Sequence, residues 1–177
     1  MSMIKLVSAF SILFVLGCSS TYKHTELKLP IAKLDPSLGV LISIPDDGWY
    51  GEHQYQNSGR MTANAVRNAF SKLVSRVDVI DNCKGEECLN NLNVEKYGYF
   101  VKLIIMHWED RATEWSGKKD RIEIQIIIYE TINKIELANF SYTGSSKFLT
   151  FGGDHPQDLL PEPTKELVNK LYGHQGT

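Results

Sequence analysis

Side chains able to do chemistry are concentrated in two short stretches. His107 to Arg121 reads HWEDRATEWSGKKDR, and Gly152 to Pro161 reads GGDHPQDLLP. The first sets the carboxylates Glu109, Asp110 and Glu114 among the cations Arg111, Lys118, Lys119 and Arg121, beside two tryptophans, Trp108 and Trp115. Glycoside hydrolysis would need two carboxyls roughly 5–10 Å apart across a cleft. Glu109 and Asp110 are neighbours on an expected strand and point to opposite faces, so they are not that pair. Two readings stay open. Tryptophan and arginine are the residue types that anchor interfaces, which makes Trp108, Glu109, Asp110, Arg111 and Trp115 candidate partner-binding residues. The other reading is a hairpin tip laced with exposed ion pairs, each contributing about 0–1 kcal/mol.

In the second stretch Asp154 and His155 are the reactive types. A catalytic histidine needs a nucleophile to activate and a group to orient it, and no serine sits in a G-x-S-x-G turn. Adjacent side chains are poorly spaced to ligate one metal, and His24, His53, His107 and His174 are scattered. No metal or cofactor is expected. Capping accounts for most of this stretch. Asp154 is a preferred N-cap, Gln157 stands three residues on, and Pro156 falls in the first turn. Pro161 then stops that turn, and Pro163 opens a terminal helix. His155 is left without a structural role, so Asp154 and His155 join the candidate partner-binding set as a loop. A hydrolase using Asp154 and His155 with acidic residues of 107–121 is the rival. A third stretch, Asp46 to Gly59, holds Trp49, Tyr50 and Tyr55 between a strand and a helix. It reads as an aromatic lid on the core or as an anion-holding helix N-terminus, with Ser58 or Asn57 as the helix cap.

The amino terminus says where these groups work. Lys5, the apolar run Leu6 to Leu16 and Gly17 have the form of an export signal, too short to cross a bilayer, which takes about 20 apolar residues. Val15 to Cys18, VLGC, resembles the lipobox of bacterial lipoproteins. That resemblance implies cleavage before Cys18 and lipid on its thiol, with Ser19 favouring the outer membrane, facing the periplasm. Residues 1–17 are thus expected as signal peptide, 18–36 as a lipidated tether, and 37–177 as one domain. In an oxidising compartment Cys83 and Cys88 are expected as a local disulfide. A thiolate zinc site wants four ligands, and no second pair is present. With 19 basic and 21 acidic residues, a net charge of −2, the chain carries no electrostatic footprint for nucleic acid.

The elements follow from periodicity. Leu38 to Pro45 reads as a strand. Ala63, Val66, Phe70, Leu73 and Val77 make a helical stripe. Val77 to Ile80 is a strand and Leu89 to Gly98 a short helix. Runs from Tyr99, Arg121 and Ile135 form an antiparallel meander joined by short turns. Leu167, Val168, Leu171 and Tyr172 line a last helix. A helix between two strands of one sheet buries its stripe on the sheet face. The expectation is an α+β two-layer sandwich, a mixed or antiparallel sheet with helices on one face, similar in layout to the amino-terminal domain of TolB. YQNSGRMTANAVRNAF, WEDRATEWSG and GGDHPQDLLP together resemble a domain-of-unknown-function family of uncharacterised Gram-negative lipoproteins. The match departs at Asn57, where that pattern has glycine. The resemblance implies an envelope location and no particular chemistry. The function expected is that of a lipid-anchored, non-enzymatic periplasmic accessory protein. It would be held on the membrane by its lipid and would bind an envelope protein or cell-wall glycan.

Overall fold

The computed structural model describes residues 20–83, 85–90, 96–111, 118–147 and 155–174. Ile122, Ile124, Ile126 and Ile128 alternate along RIEIQIIIYE and all four are buried. A period of two in β-branched residues fixes both strand and facing, and this strand sits near the middle of a six-stranded sheet. In chain order the elements are β1 (Thr21–Lys28), β2 (Val40–Ser43), β3 (Trp49–Tyr50), β4 (His53–Gln54), α1 (Ser58–Phe70), β5 (Val77–Ile80), β6 (Tyr99–Glu109), β7 (Arg121–Glu130), β8 (Glu136–Ser145) and α2 (Pro161–Leu171). Short 3-10 helices cover Gly85–Asn90 and Pro156–Leu159. The sheet order is β1-β8-β7-β6-β2-β5, and β3 with β4 forms a separate small hairpin. β2 runs parallel to both β5 and β6, while the other pairs are antiparallel. The expected α+β class with a mixed sheet holds.

The stripe of α1, with Ala63, Val66 and Phe70 buried, and that of α2, with Leu167, Val168 and Leu171, pack into one core with the β7 isoleucines, Val101, Leu103 and Tyr142. The helix expected to run on to Val77 stops at Phe70, and Ser71 turns its hydroxyl back onto the Arg67 carbonyl at 2.8 Å. The remaining residues are needed as a connection, because Val77 must enter the sheet parallel to Val40. A β-α-β unit of this kind supplies the crossover that parallel strands require.

Three expectations are corrected. Residues 21–28 lie inside the segment expected to be tether, yet they form β1, paired with β8 from Thr21↔Ser145 to Lys28↔Asn139. In TYKHTELK only Tyr22 packs on the core, so no apolar alternation marks the strand. It holds as an edge strand through backbone pairing and contacts from His24 to Glu166 and from Glu26 to Lys170. The sandwich is also not bare on its second face. There the Cys83–Cys88 disulfide and Leu89 pack with Leu41, Phe100, Ile127 and Tyr129 in a smaller cluster. Burial, with the nearby Glu86 carboxylate, pushes the Tyr129 phenol up to about 12. Finally, α2 starts at Pro161, so both prolines stand in its first turn, where the missing N–H has no helical partner to lose.

Tyr142 ties sheet to helix. Its hydroxyl and that of Thr164 on α2 are 3.0 Å apart, both buried. Tyr142→Phe and Thr164→Val should each lower the unfolding free energy by about 1–3 kcal/mol, since each strands a buried polar partner. Denaturant unfolding of the double variant should show a loss smaller than the sum of the two.

Candidate functional site

β6 is not a regular strand. Its register against β7 slips between Ile105 and His107, leaving Met106 as an extra, exposed residue. Before the slip, Val101 and Leu103 face the helices. Continued alternation would turn Trp108 outward. The bulge reverses the facing, so Trp108 pairs with Ile122 and is only 2% exposed. Trp108 is therefore a core residue, which corrects its expected place on a partner-binding surface. The same slip puts His107 and Glu109 together on the opposite side of the strand.

There they meet the β3–β4 hairpin. Gly48 brings the hairpin backbone against the strand: a Cβ at this position would lie 2.5 Å from the Trp108 Cβ and 2.9 Å from the Ile105 Cγ2. Tyr50 then sets its ring edge-on to His107, with centroids 5.5 Å apart. The Arg111 guanidinium lies over the Tyr50 ring at 5.3 Å and donates to the Tyr50 hydroxyl at 2.6 Å. Beneath them Glu109 is 1% exposed. One of its oxygens accepts from the Arg111 Nε, and the other lies 3.3 Å from the His107 Nε2. Burial raises the Glu109 carboxyl, but hydrogen bonds from Tyr50, His107 and Arg111, with the Arg111 charge, outweigh it and hold the group below its ordinary value. The Arg111 N–H donates to the Asp120 carboxylate at 2.6 Å, and the Asp120 N–H donates to the Ser146 hydroxyl at 2.9 Å. This end of the molecule is cross-tied from β3 to the segment after β8.

Of the residues expected here, Glu109 and Arg111 belong to this cluster. Asp110 lies next to it, its carboxylate 3.7 Å from the His155 Nδ1 in a pair open to solvent. Trp115 and Asp154 lie outside the described residues. The cap on the turn before α2 is His155, one residue later than expected, and its N–H donates to the Asp158 carboxylate at 3.0 Å. In the sequence His107, Asp120 and Ser146 carry no sign of a site, and Tyr50 stands out only within the aromatic stretch. The one signal for Tyr50 was the aromatic content of Asp46 to Gly59. That stretch is only in part a lid. Tyr55 packs on the core, while Trp49 is 55% and Tyr50 41% exposed. Its helix N-terminus takes no external anion, because Asp47 occupies it, accepting from the Asn57 N–H at 3.1 Å and the Gly59 N–H at 2.9 Å. Neither Asn57 nor Ser58 caps with its side chain. Asn57 has φ 69°, the left-handed region in which glycine and asparagine are favoured. Among the described residues no group of three or more histidine, cysteine or acidic side chains could hold a metal ion.

The chain belongs to the family described as Domain of unknown function (DUF4823), whose model matches residues 32–171. No curated protein matches it significantly. Solved structures share its fold. The PelC dodecamer from Paraburkholderia phytofirmans is similar at TM-score 0.58 and 13% identity, covering 90% of this chain and 99% of that one. Protein XCC0632 from Xanthomonas campestris, of the DUF330 family, is similar at TM-score 0.53 and 16% identity, covering 80% and 87%. Hypothetical protein CT253 from Chlamydia trachomatis is similar at TM-score 0.50 and 12% identity, covering 78% and 98%. At such identities the likeness is one of fold.

The cluster makes an acid-stability prediction. The folded-state pKa of Glu109 lies below its unfolded value of 4.5. The stability it contributes is therefore fully present above that pH and is lost as pH falls through the folded value. Glu109→Gln should flatten the stability profile below pH 4.5 relative to wild type. Near neutral pH, Arg111→Met should destabilise more than Glu109→Gln, because it leaves a buried carboxylate without its cation. Denaturant midpoints measured across pH check both.

Proposed function

We propose that this member of the DUF4823 family is a lipid-anchored accessory protein of the bacterial envelope, tied through Cys18 to the outer membrane and facing the periplasm, that works by binding another envelope component. The observation that carries the binding half is the distribution of exposed apolar side chains. By the strand register, β1 ends, β7 ends, and β2, β6 and β8 begin at one end of the sheet. Leu29, Ile31, Leu38, Ile132 and Ile135 are all exposed at that end. An aliphatic surface suits a protein partner with an apolar face better than a glycan, which aromatic faces recognise.

The anchoring half rests on the VLGC sequence and on the Cys83–Cys88 disulfide, which fits an oxidising compartment. The expected similarity to the amino-terminal domain of TolB belongs to this reading as a layout suited to accessory domains. The rival, a hydrolase, finds less support. Glu109 is closed in by Arg111 and His107. The His155–Asp110 pair is solvent-exposed, which leaves it weakly coupled. The reading calls for no cofactor or metal.

Cys18→Ser should move the protein from the membrane fraction to the soluble periplasmic fraction. If it still sediments with outer membrane, the anchor reading is wrong. A photo-crosslinking residue at Ile31 or Ile132 should capture one discrete partner in cells, while the same residue at Thr143, on the open sheet face, should not. Identification of the adduct separates a different envelope protein from a second copy of this chain, the kind of assembly the PelC neighbour forms. Equal capture at all three positions, or at none, would remove the aliphatic end as the binding surface.

A further inference from the structure

Cys18 is three residues from Thr21, the first residue of β1. A fully extended chain spans at most about 3.6 Å per residue, so the anchored cysteine stands within ~11 Å of the sheet. An attachment that short leaves almost no freedom to hold the domain away from the bilayer. The end that faces the bilayer is set by register: Thr21 lies opposite Ser145, Ser145 opposite Arg121, and Arg121 opposite Glu109. With strands about 4.8 Å apart, that row is ~14 Å wide. Just beyond Glu109, held by Arg111 and His107, is the β3–β4 hairpin.

We propose that this hairpin is a second membrane contact, with Trp49 and Tyr50 seated among the headgroups of the leaflet that carries the lipid on Cys18. The inference rests on the anchor reading above and adds what the anchored end touches. Three observations favour a lipid surface. Trp49 and Tyr50 are the large aromatic residues among the exposed apolar side chains, and both stand at the Thr21 end, whereas the exposed aliphatics at a sheet end stand at the other. Rings that are apolar in body and polar at one edge favour the headgroup zone. The hairpin is also rigidly backed, by Gly48 against Trp108 and by the Arg111–Tyr50 contact, so the exposed rings are presented in a fixed place. Lastly, Glu109 and Asp120 are buried and engaged inside the protein, so neither puts its charge on this surface, although Asp110 and Arg121 are exposed. Asp46 and Glu52 are exposed at this end as well, so the contact is one of aromatic seating and not of charge attraction. Two separated contacts, lipid at Cys18 and rings at the hairpin, would fix the tilt of the domain, which one contact cannot do.

The test uses the mature, lipidated protein reconstituted in vesicles of phosphatidylethanolamine and phosphatidylglycerol, some carrying bromine near the glycerol end of the acyl chain. Bromine quenches tryptophan fluorescence at that depth. Wild type should sediment with the vesicles and be quenched. Trp49→Phe should sediment equally, with a quenched component at least about two-fold smaller, since the ring at the interface is gone. A quenched component of unchanged size in Trp49→Phe overturns the proposal, as does a sedimenting wild type that is not quenched, and both leave the anchor reading standing. A wild type that does not sediment overturns the anchor reading and this inference with it.

Discussion

One residue inserted into one strand decides which side chains of the β6 end are core and which are surface. Met106 is surplus to the β6–β7 ladder. Because side chains alternate with a period of two, a single surplus residue exchanges the two faces for everything that follows. Trp108 goes inward against Ile122, where it completes the core below the β2–β3 connection. His107 and Glu109 go outward as a pair. An outward carboxylate that is then covered needs a cation and a roof, and Arg111 and Tyr50 supply them. The hairpin has a seat only because Gly48 lacks the Cβ that would strike Trp108. Bulge, buried tryptophan, carboxylate clasp and hairpin are one arrangement.

The parts of this fold that were legible in the sequence are those whose burial is periodic. The β7 isoleucines, the Val77–Ile80 strand, the meander from Tyr99 to Ser145 and the stripes of both helices carry an alternation or a 3.6-residue repeat that burial imposes. The disulfide was legible from spacing and compartment alone. What escaped lacks such a period. β1 is an edge with one neighbour and sends only Tyr22 onto the core. β3 and β4 are two residues each, too short for any pattern. The bulge leaves no mark in residue types, so Trp108 was assigned to the wrong side. The cap of α1 comes from Asp47, ten residues before Asn57. A local capping rule looks only at neighbours and so found Asn57 and Ser58 instead.

Three acidic side chains are used within the fold. Asp47 meets the N–H groups and the positive end of α1. Glu109 neutralises Arg111 under the hairpin, and Asp120 receives the Arg111 N–H while its own backbone exchanges hydrogen bonds with Ser146. Of the three, Asp120 joins segments well apart in the chain, linking the end of β6 to the residue after β8. The other end is tied as well, by the Asp35 N–H on the Tyr99 hydroxyl, Thr131 on Tyr97 and Lys134 on Asn90, but it exposes aliphatic side chains around the β7–β8 turn and after β1. The two ends therefore differ in kind. One is capped by aromatic rings, and the other exposes aliphatic side chains among charged groups of both signs.

The way β1 joins the sheet governs how the domain bears force. Its hydrogen bonds to β8 lie across the strand axis, and a pull along the strand from Thr21 runs at right angles to them. The ladder is then loaded in shear, with the bonds from Thr21 to Lys28 resisting together. Had the chain entered at the Lys28 end and been pulled sideways, they would open singly, like a zipper. An edge strand with one neighbour contributes less at equilibrium than a central one, yet it lies in the orientation that best resists being drawn out of the sheet along its axis.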